Sequence, residues 1–408
     1  MFVVSRDSLY KTLSQLNRAI DKDSYAEFGF IHIATVEADH TLVVQAKNDI
    51  WSLQMAVPDV TVIKAVDVLV PAKYLLQALK KMPEKLPVTM TYDDDTQLLR
   101  IEWRMVKGDN ERLLDMTVEC KPGSEWSGMY TPVDGSIQLE FPYSMLATEY
   151  PKVIDCAALV DNRPVLTGIY VGLKAHDAQT TELTMACGDG YRLAVKTSLI
   201  PQVSHEFDFV FYADMWREWV KLHDSRLKKD KTGFFKVDVP IMRQNDKTIE
   251  YGSFRSDDGS LVMSWQYLKG QFPAFDHIIP STQAFTLTTS SADLRAAVDT
   301  CLIYGAEDAH RIRLDSSRTM RQLVVTGSKP GGAAKITDKI PAVVTLDPAA
   351  PDDFHVCIDG RFVLDTLDAM TGDVTLSSQL PTHNSPWVFT PVLDNSYLIV
   401  VMPMSKDK

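Results

Sequence analysis

The feature that most limits how this chain can fold is a pattern that recurs along it: a short β-like run passing directly into a helix. Phe2-Val3-Val4 leads into residues 5–20, where Leu9, Leu13, Leu16 and Ile20 fall at helical spacing and make one apolar stripe. After β-like runs at 29–36 and 41–45, Val68-Leu69-Val70 passes into a second predicted helix, 72–82. Pro71 suits its first turn, where a missing N–H costs nothing, and Pro83 stops it. Strands at 88–92 and 98–103 complete the unit. The same grammar restarts at 137–141, with a helix over 142–159, strands at 168–173 and 183–196, and a second helix over 214–222 after Phe209-Val210-Phe211-Tyr212. A third copy opens at Phe285-Thr286-Leu287 before a helix over 291–304, and Val356-Cys357-Ile358-Asp359 introduces its second helix, 361–370. The entries to the second helices, Pro71, Tyr212 and Asp359, are almost evenly spaced, so three copies of one unit fill the 408 residues. Each copy predicts an α+β domain, a sheet with two helices on one face. The predicted domains are 1–134, 135–282 and 283–408, joined by short proline-bearing linkers at 130–135 and 279–283.

Motifs for chemistry are absent where an enzyme would need them. No GxxxxGK[ST] occurs, and the nearest look-alike, TGSKPGG at 326–332, lies between β-like runs at 322–326 and 336–340 and predicts a hairpin loop. There is no GxSxG and no HExxH, and the nine histidines are dispersed without a pair at ligand spacing. Asp93-Asp94-Asp95 predicts a solvated turn, and the basic stretch 226–231 a solvated connection. The enzymatic alternative would be metal-assisted phosphoryl chemistry at Asp189 or at the acidic turns. No catalytic residue, metal site or cofactor is expected. The five cysteines (Cys120, Cys156, Cys187, Cys301, Cys357) are scattered and predict reduced thiols filling apolar space in a cytoplasmic protein. Hydrophobic residues at 45% and charged residues at 24% fit a soluble globular chain, with no apolar run long enough to span a membrane and no signal sequence. The net charge of −12 opposes phosphate binding only if charge is evenly spread, so the placement of the basic residues matters more than the total.

Residues 183–195 (LTMACGDGYRLAV) bring the pattern to a point. Gly188-Asp189-Gly190 between two apolar runs is turn chemistry and predicts a hairpin. Beside it stand RPVLTGIYVGL at 163–173, QFPAFDHIIP at 271–280 and the C-terminal YLIVVMPM at 397–404. A chain seldom ends on so apolar a stretch unless it is packed or used. In this order and at these separations the segments resemble the bacterial DNA polymerase III beta subunit, the sliding clamp family, along essentially the whole chain. The resemblance implies three tandem copies of the DNA clamp fold, closed head to tail by a second chain into a six-domain ring. It implies a non-catalytic processivity factor that encircles duplex DNA without reading its sequence. Its partners would be the replicative polymerase, an ATP-driven clamp loader and other proteins carrying short clamp-binding peptides.

The resemblance also implies sites. The peptide pocket would comprise Leu166, Gly190, Tyr191, Arg192, Leu193, Pro273, His277, Ile278, Pro386, Val400, Met402, Pro403 and Met404. Leu, Val and flexible Met side chains make an adaptable apolar floor, and Arg192 with the backbone at Gly190 would supply polar anchors. The chain departs from the family pattern at Gly188, Tyr191, His277 and Ser405, where threonine, histidine, a basic residue and arginine are common. DNA contacts would come from basic residues on or near the predicted helices: Lys11, Arg18, Lys22, Lys73, Lys80, Lys81, Lys152, Arg163, Arg217, Lys221, Arg295 and Arg361. Any one of them would equally suit a solvated helix face. Ile303 and Tyr304 are candidates for the dimer interface, or for packing within their own domain. The alternative function is a diverged clamp-like interaction protein, phage- or plasmid-encoded, that serves a different partner set.

Overall fold

Strands feed directly into helices six times. Phe2–Ser5 runs into α1 (Arg6–Leu16), Asp67–Pro71 into α2 (Ala72–Lys81), and Ile137–Pro142 into α3 (Tyr143–Thr148), after which comes the short α4 (Pro151–Ile154). Phe207–Tyr212 then enters α5 (Ala213–Leu227), Phe285–Ser290 enters α6 (Ser291–Gly305), and Asp353–Asp359 enters α7 (Gly360–Asp368). The last strand residue doubles as the helix cap at three of these junctions. Ser290 Oγ accepts the Asp293 N–H at 3.3 Å and Asp359 Oδ1 accepts the Arg361 N–H at 2.9 Å, with a longer contact from Ser8 N–H to Ser5 Oγ at 3.5 Å. The computed structural model describes the chain except for residues 22–26, 37, 39, 108–109, 133–135, 149–150, 161, 204–205, 230–231, 240–250, 269, 281, 333, 349, 351, 380–384 and 405–408.

The chain divides into two compact units, Met1–Ser144 with Glu218–Tyr267, and Met145–Arg217 with Leu268–Lys408. The first unit holds a five-stranded and a nine-stranded antiparallel sheet. In the larger sheet, strands of the first repeat continue into strands of the second: Trp51–Val57 pairs with Leu261–Gln266, placing Trp51 opposite Trp265 and Leu53 opposite Met263. Leu9, Leu13 and Leu16 of α1 and Leu75 and Leu79 of α2 are fully buried. Arg6 is buried with them because it closes the end of α2, donating from Nε to the Leu79 carbonyl at 2.9 Å. Trp219, Phe235, Phe254 and Trp265 form an aromatic core, with Phe254 and Trp265 centroids 3.9 Å apart.

The second unit repeats this plan with a nine-stranded and a four-stranded sheet. Here Arg192–Pro201 of the second repeat pairs with the C-terminal strand Tyr397–Val401 of the third, with Leu193 opposite Val400. α6 lies so close to the strand Gln322–Ser328 that a Cβ on Gly327 would sit 1.8 Å from the Cys301 carbonyl oxygen.

Of the helix predicted over 142–159, Tyr143–Thr148 and Pro151–Ile154 are helical, and residues 155–159 are not. α5 runs further than predicted and takes in Arg226, at the start of the expected loop, while residues 230–231 lie outside the described residues. The acidic turn forms between Pro87–Asp93 and Leu98–Lys107, and the 326–332 segment forms a hairpin between Gln322–Ser328 and Lys335–Pro341. Among the described residues no helix is long and apolar enough to cross a membrane.

Candidate functional site

The predicted hairpin forms between Thr180–Gly188 and Arg192–Pro201. Asp189 folds its own turn: Oδ1 accepts the N–H groups of Tyr191 and Arg192, both at 2.9 Å. Gly190 takes φ +87°, a left-handed conformation that favours glycine. The C-terminal strand pairs alongside, and the Met402 N–H reaches the Tyr191 carbonyl at 2.8 Å. A 3₁₀ turn at Pro164–Thr167 brings Leu166 to the same place, held by the Ala158 N–H on the Leu166 carbonyl at 2.9 Å.

These segments enclose a pocket of about 300 Å³. The turn and its strand supply Gly188, Gly190, Tyr191, Arg192 and Leu193; the 3₁₀ turn supplies Arg163 and Leu166; the C-terminal strand and its continuation supply Val400 and Met402. The fourth wall is Phe272, Pro273, Phe275 and Ile278. Beneath lies a continuous core in which Leu166, Leu193, Val195, Val210, Leu268, Phe272, Val388 and Val400 pack together. The floor is therefore preformed, while Tyr191, Ile278 and Met402 remain exposed at the mouth.

Nine of the residues named from sequence converge on this pocket, and the other four do not line it. His277 is exposed next to Ile278. Pro386 lies just before the strand Trp387–Pro391, its carbonyl accepting Ser378 Oγ at 3.0 Å. Pro403 and Met404 continue past Val401, and the Met404 N–H bonds the Cys357 carbonyl at 2.8 Å. Phe272, Phe275, Gly188 and Arg163 line the pocket without having been named for it. The two phenylalanines flank Pro273 in QFPAFDHIIP, so the signal was present in that segment.

Polar chemistry at the mouth centres on Arg192. Its Nε donates to Asp189 Oδ2 at 3.0 Å, one terminal nitrogen to Asp365 Oδ2 at 2.6 Å, and the other to the Asp155 carbonyl at 2.8 Å. The guanidinium also lies over the Phe362 ring, 4.7 Å from its centroid, and Tyr191 stacks on that ring at 6.3 Å. Burial works against the charge of Arg192, but coupling to Cys156, Asp365 and Asp189 outweighs it and holds its pKa above the ordinary value. Burial pushes the neighbouring Cys156 thiol up to about 12, which keeps it protonated.

The basic candidates are dispersed over the helices, many of them beside carboxylates. Arg18 and Lys221 share Glu218, each at 2.8 Å, Arg217 pairs with Asp214, Arg361 with Asp359 and Arg295 with Asp368. Lys11 on α1 and Lys73, Lys80 and Lys81 on α2 are exposed and make no ion pair with a described residue. Lys22 and the Lys152 side chain lie outside what is described. Arg163 is exposed at the pocket mouth. Ile303 on α6 is 64% exposed, whereas Tyr304 is half-buried with the Lys329 ammonium 5.2 Å from its ring centroid.

By sequence the chain matches no family model, and no curated protein matches it. By structure it is similar along its whole length to bacterial sliding clamps. The DNA polymerase III subunit beta of Pseudomonas aeruginosa superposes with a TM-score of 0.83 at 16% identity, covering 100% of both chains. The sliding clamp of Bacillus subtilis gives 0.81 at 15% identity over 100% of this chain and 99% of that one. The beta subunit of Thermotoga maritima gives 0.79 at 16% identity over 100% of both. The P. aeruginosa clamp bound to griselimycin superposes at 0.81 with 16% identity, covering 99% of each chain. The chain is thus built, from end to end, on the α+β fold of the bacterial DNA polymerase III beta subunit.

Proposed function

We propose that the chain is a DNA sliding clamp: a non-catalytic ring, cytoplasmic, that encircles duplex DNA and tethers the replicative polymerase to it. The observation that carries this reading is a preformed apolar pocket, assembled from four segments far apart in sequence, on a fold shared end to end with bacterial clamps. Such a pocket suits the apolar side chains of a short partner peptide. The domains would be 1–134, 135–282 and 283–408, so that two chains joined head to tail make six and close a ring. Ile303, exposed on α6, is suited to that contact. Exposed Lys11, Lys73, Lys80 and Lys81 would supply weak, sequence-independent attraction to phosphate, which suffices when the hold on DNA is topological. Loading would fall to a separate ATP-driven clamp loader.

The test is a titration of a fluorescent Gln-Leu-x-Leu-Phe peptide against the full chain and a chain ending at Val401. Saturable binding by the full chain, lost without Met402, supports the reading. A full chain that binds no such peptide leaves the fold standing and rejects the pocket as a site for this peptide class. A second reading, a diverged clamp-like protein with its own partner set, draws on Arg192 being engaged by Asp189 and Asp365 at the mouth. Capture of peptides of another pattern by the same pocket would favour it.

A further inference from the structure

An arginine at the mouth of an apolar pocket is expected to receive an acidic group from the ligand. Arg192 is not placed to do so. Its side chain is 12% exposed, with Asp189 and Asp365 on two of its nitrogens and the Asp155 carbonyl on the third. The Phe362 ring covers one face of the guanidinium. Asp189 belongs to the same turn and also folds the turn backbone. Asp365 comes from α7, 173 residues from Arg192 in sequence, and its side chain is 49% exposed. Among the described residues its carboxylate makes no other hydrogen bond or ion pair.

We propose that Asp365 is a specificity-determining residue of the pocket: by neutralising and anchoring Arg192 it withholds a cation from the mouth, so the chain does not select peptides with an acidic residue beside their apolar anchors. The inference rests on the peptide-pocket reading above and specifies the partner's chemistry. An acidic side chain entering here meets one guanidinium already shared by two carboxylates, and so gains little. The ligand class is therefore a peptide of apolar anchors whose flank beside the turn is uncharged or cationic. Arg163 is the other cation lining the mouth, and it is retained in every variant below.

The experiment uses the full chain and two pairs of fluorescent peptides with the same Gln-Leu-x-Leu-Phe anchors. Each pair places Gln or Glu immediately beside the anchors, one pair at each end. The ratio of Glu-peptide to Gln-peptide affinity is measured for the wild type and for D365N, D365E and the double variant R192Q/D365N. Because Arg163 is kept in every protein, a gain owed to it would survive R192Q, whereas one owed to Arg192 would not. In at least one pair, D365N is expected to raise the ratio by up to about fivefold over wild type, with the gain disappearing in high salt. D365E should restore the wild-type ratio, and R192Q/D365N should abolish the gain. Asp365→Ser gives the same reading should the amide disturb α7, and a melting curve on each variant separates misfolding from altered choice. A wild type that binds these peptides while D365N leaves both ratios unchanged, or a gain that survives R192Q, overturns the inference alone. A wild type that binds none of them overturns the pocket reading and the inference with it.

Discussion

At Gly190 the backbone sits at φ +87°, and the whole pocket mouth depends on that turn. Gly190→Ala is expected to cost about 1–2 kcal/mol, because a Cβ is disfavoured in the left-handed region, and to weaken peptide binding with it. Urea denaturation and the peptide titration check both effects, and equal stability with unchanged affinity would refute this role. A second residue-scale prediction concerns pH. Lys196 is buried and donates to Asp394 at 3.0 Å and to Ser396. Desolvation raises the Asp394 pKa, but hydrogen bonds from Ser396 and Lys196 outweigh it, so the carboxyl titrates below its ordinary value. A depressed pKa stabilises the fold above the unfolded-state value and loses that contribution as pH falls through the folded one. D394N should therefore be less stable than wild type by a constant margin at neutral pH, with the gap closing below about pH 4. Denaturation midpoints from pH 7 down to the acid limit of the fold test this, and a gap that does not narrow below about pH 4 contradicts it. The hairpin at 183–195 was legible because glycine and aspartate declare a turn locally. The engagement of Arg192 was not, since its partner Asp365 lies in another repeat and nothing in the sequence ties the two together.

At the scale of elements, strand-to-helix junctions were readable because the apolar period switches within a few residues and the switch point carries Ser, Pro or Asp. Helix ends were read less well: the helix predicted over 142–159 stops by Ile154, and α5 runs on into the stretch expected to be a loop. What sequence could not supply was contact between elements, such as Arg6 at the end of α2. Arg6→Met keeps most of the volume but removes the donors to the Leu79 and Lys80 carbonyls. It should lower stability by roughly 1.5–3 kcal/mol, the range for hydrogen bonds made by a charged group. Chemical denaturation measures this, and a loss below the error of the method would show that water replaces the bonds without cost. Gly327 has a similar status: its need for glycine comes from α6 pressing against its strand, which no local pattern announces.

For the whole molecule, the threefold repeat was readable but the way repeats join was not. The joins are antiparallel pairings, Trp51–Val57 with Leu261–Gln266 and Arg192–Pro201 with Tyr397–Val401, and register between strands so distant in sequence is set by packing. The second of these joins places the C-terminal strand against the Asp189 turn and so makes the pocket. An exposed Ile303 on α6 is the residue on which ring closure is predicted to depend. Ile303→Asp should weaken self-association at least about tenfold, by burying a charge in an apolar contact. Sedimentation across a concentration series checks it, and an unchanged dimer would move the interface elsewhere. The central claim, that the chain acts by encircling DNA, is tested most directly by topology. The labelled protein is placed on a nicked circular duplex by a clamp loader with ATP, freed of excess by gel filtration, and the circle is then cut once. Co-elution with the circle and release after the cut is the predicted result; equal retention before and after cutting would contradict the account.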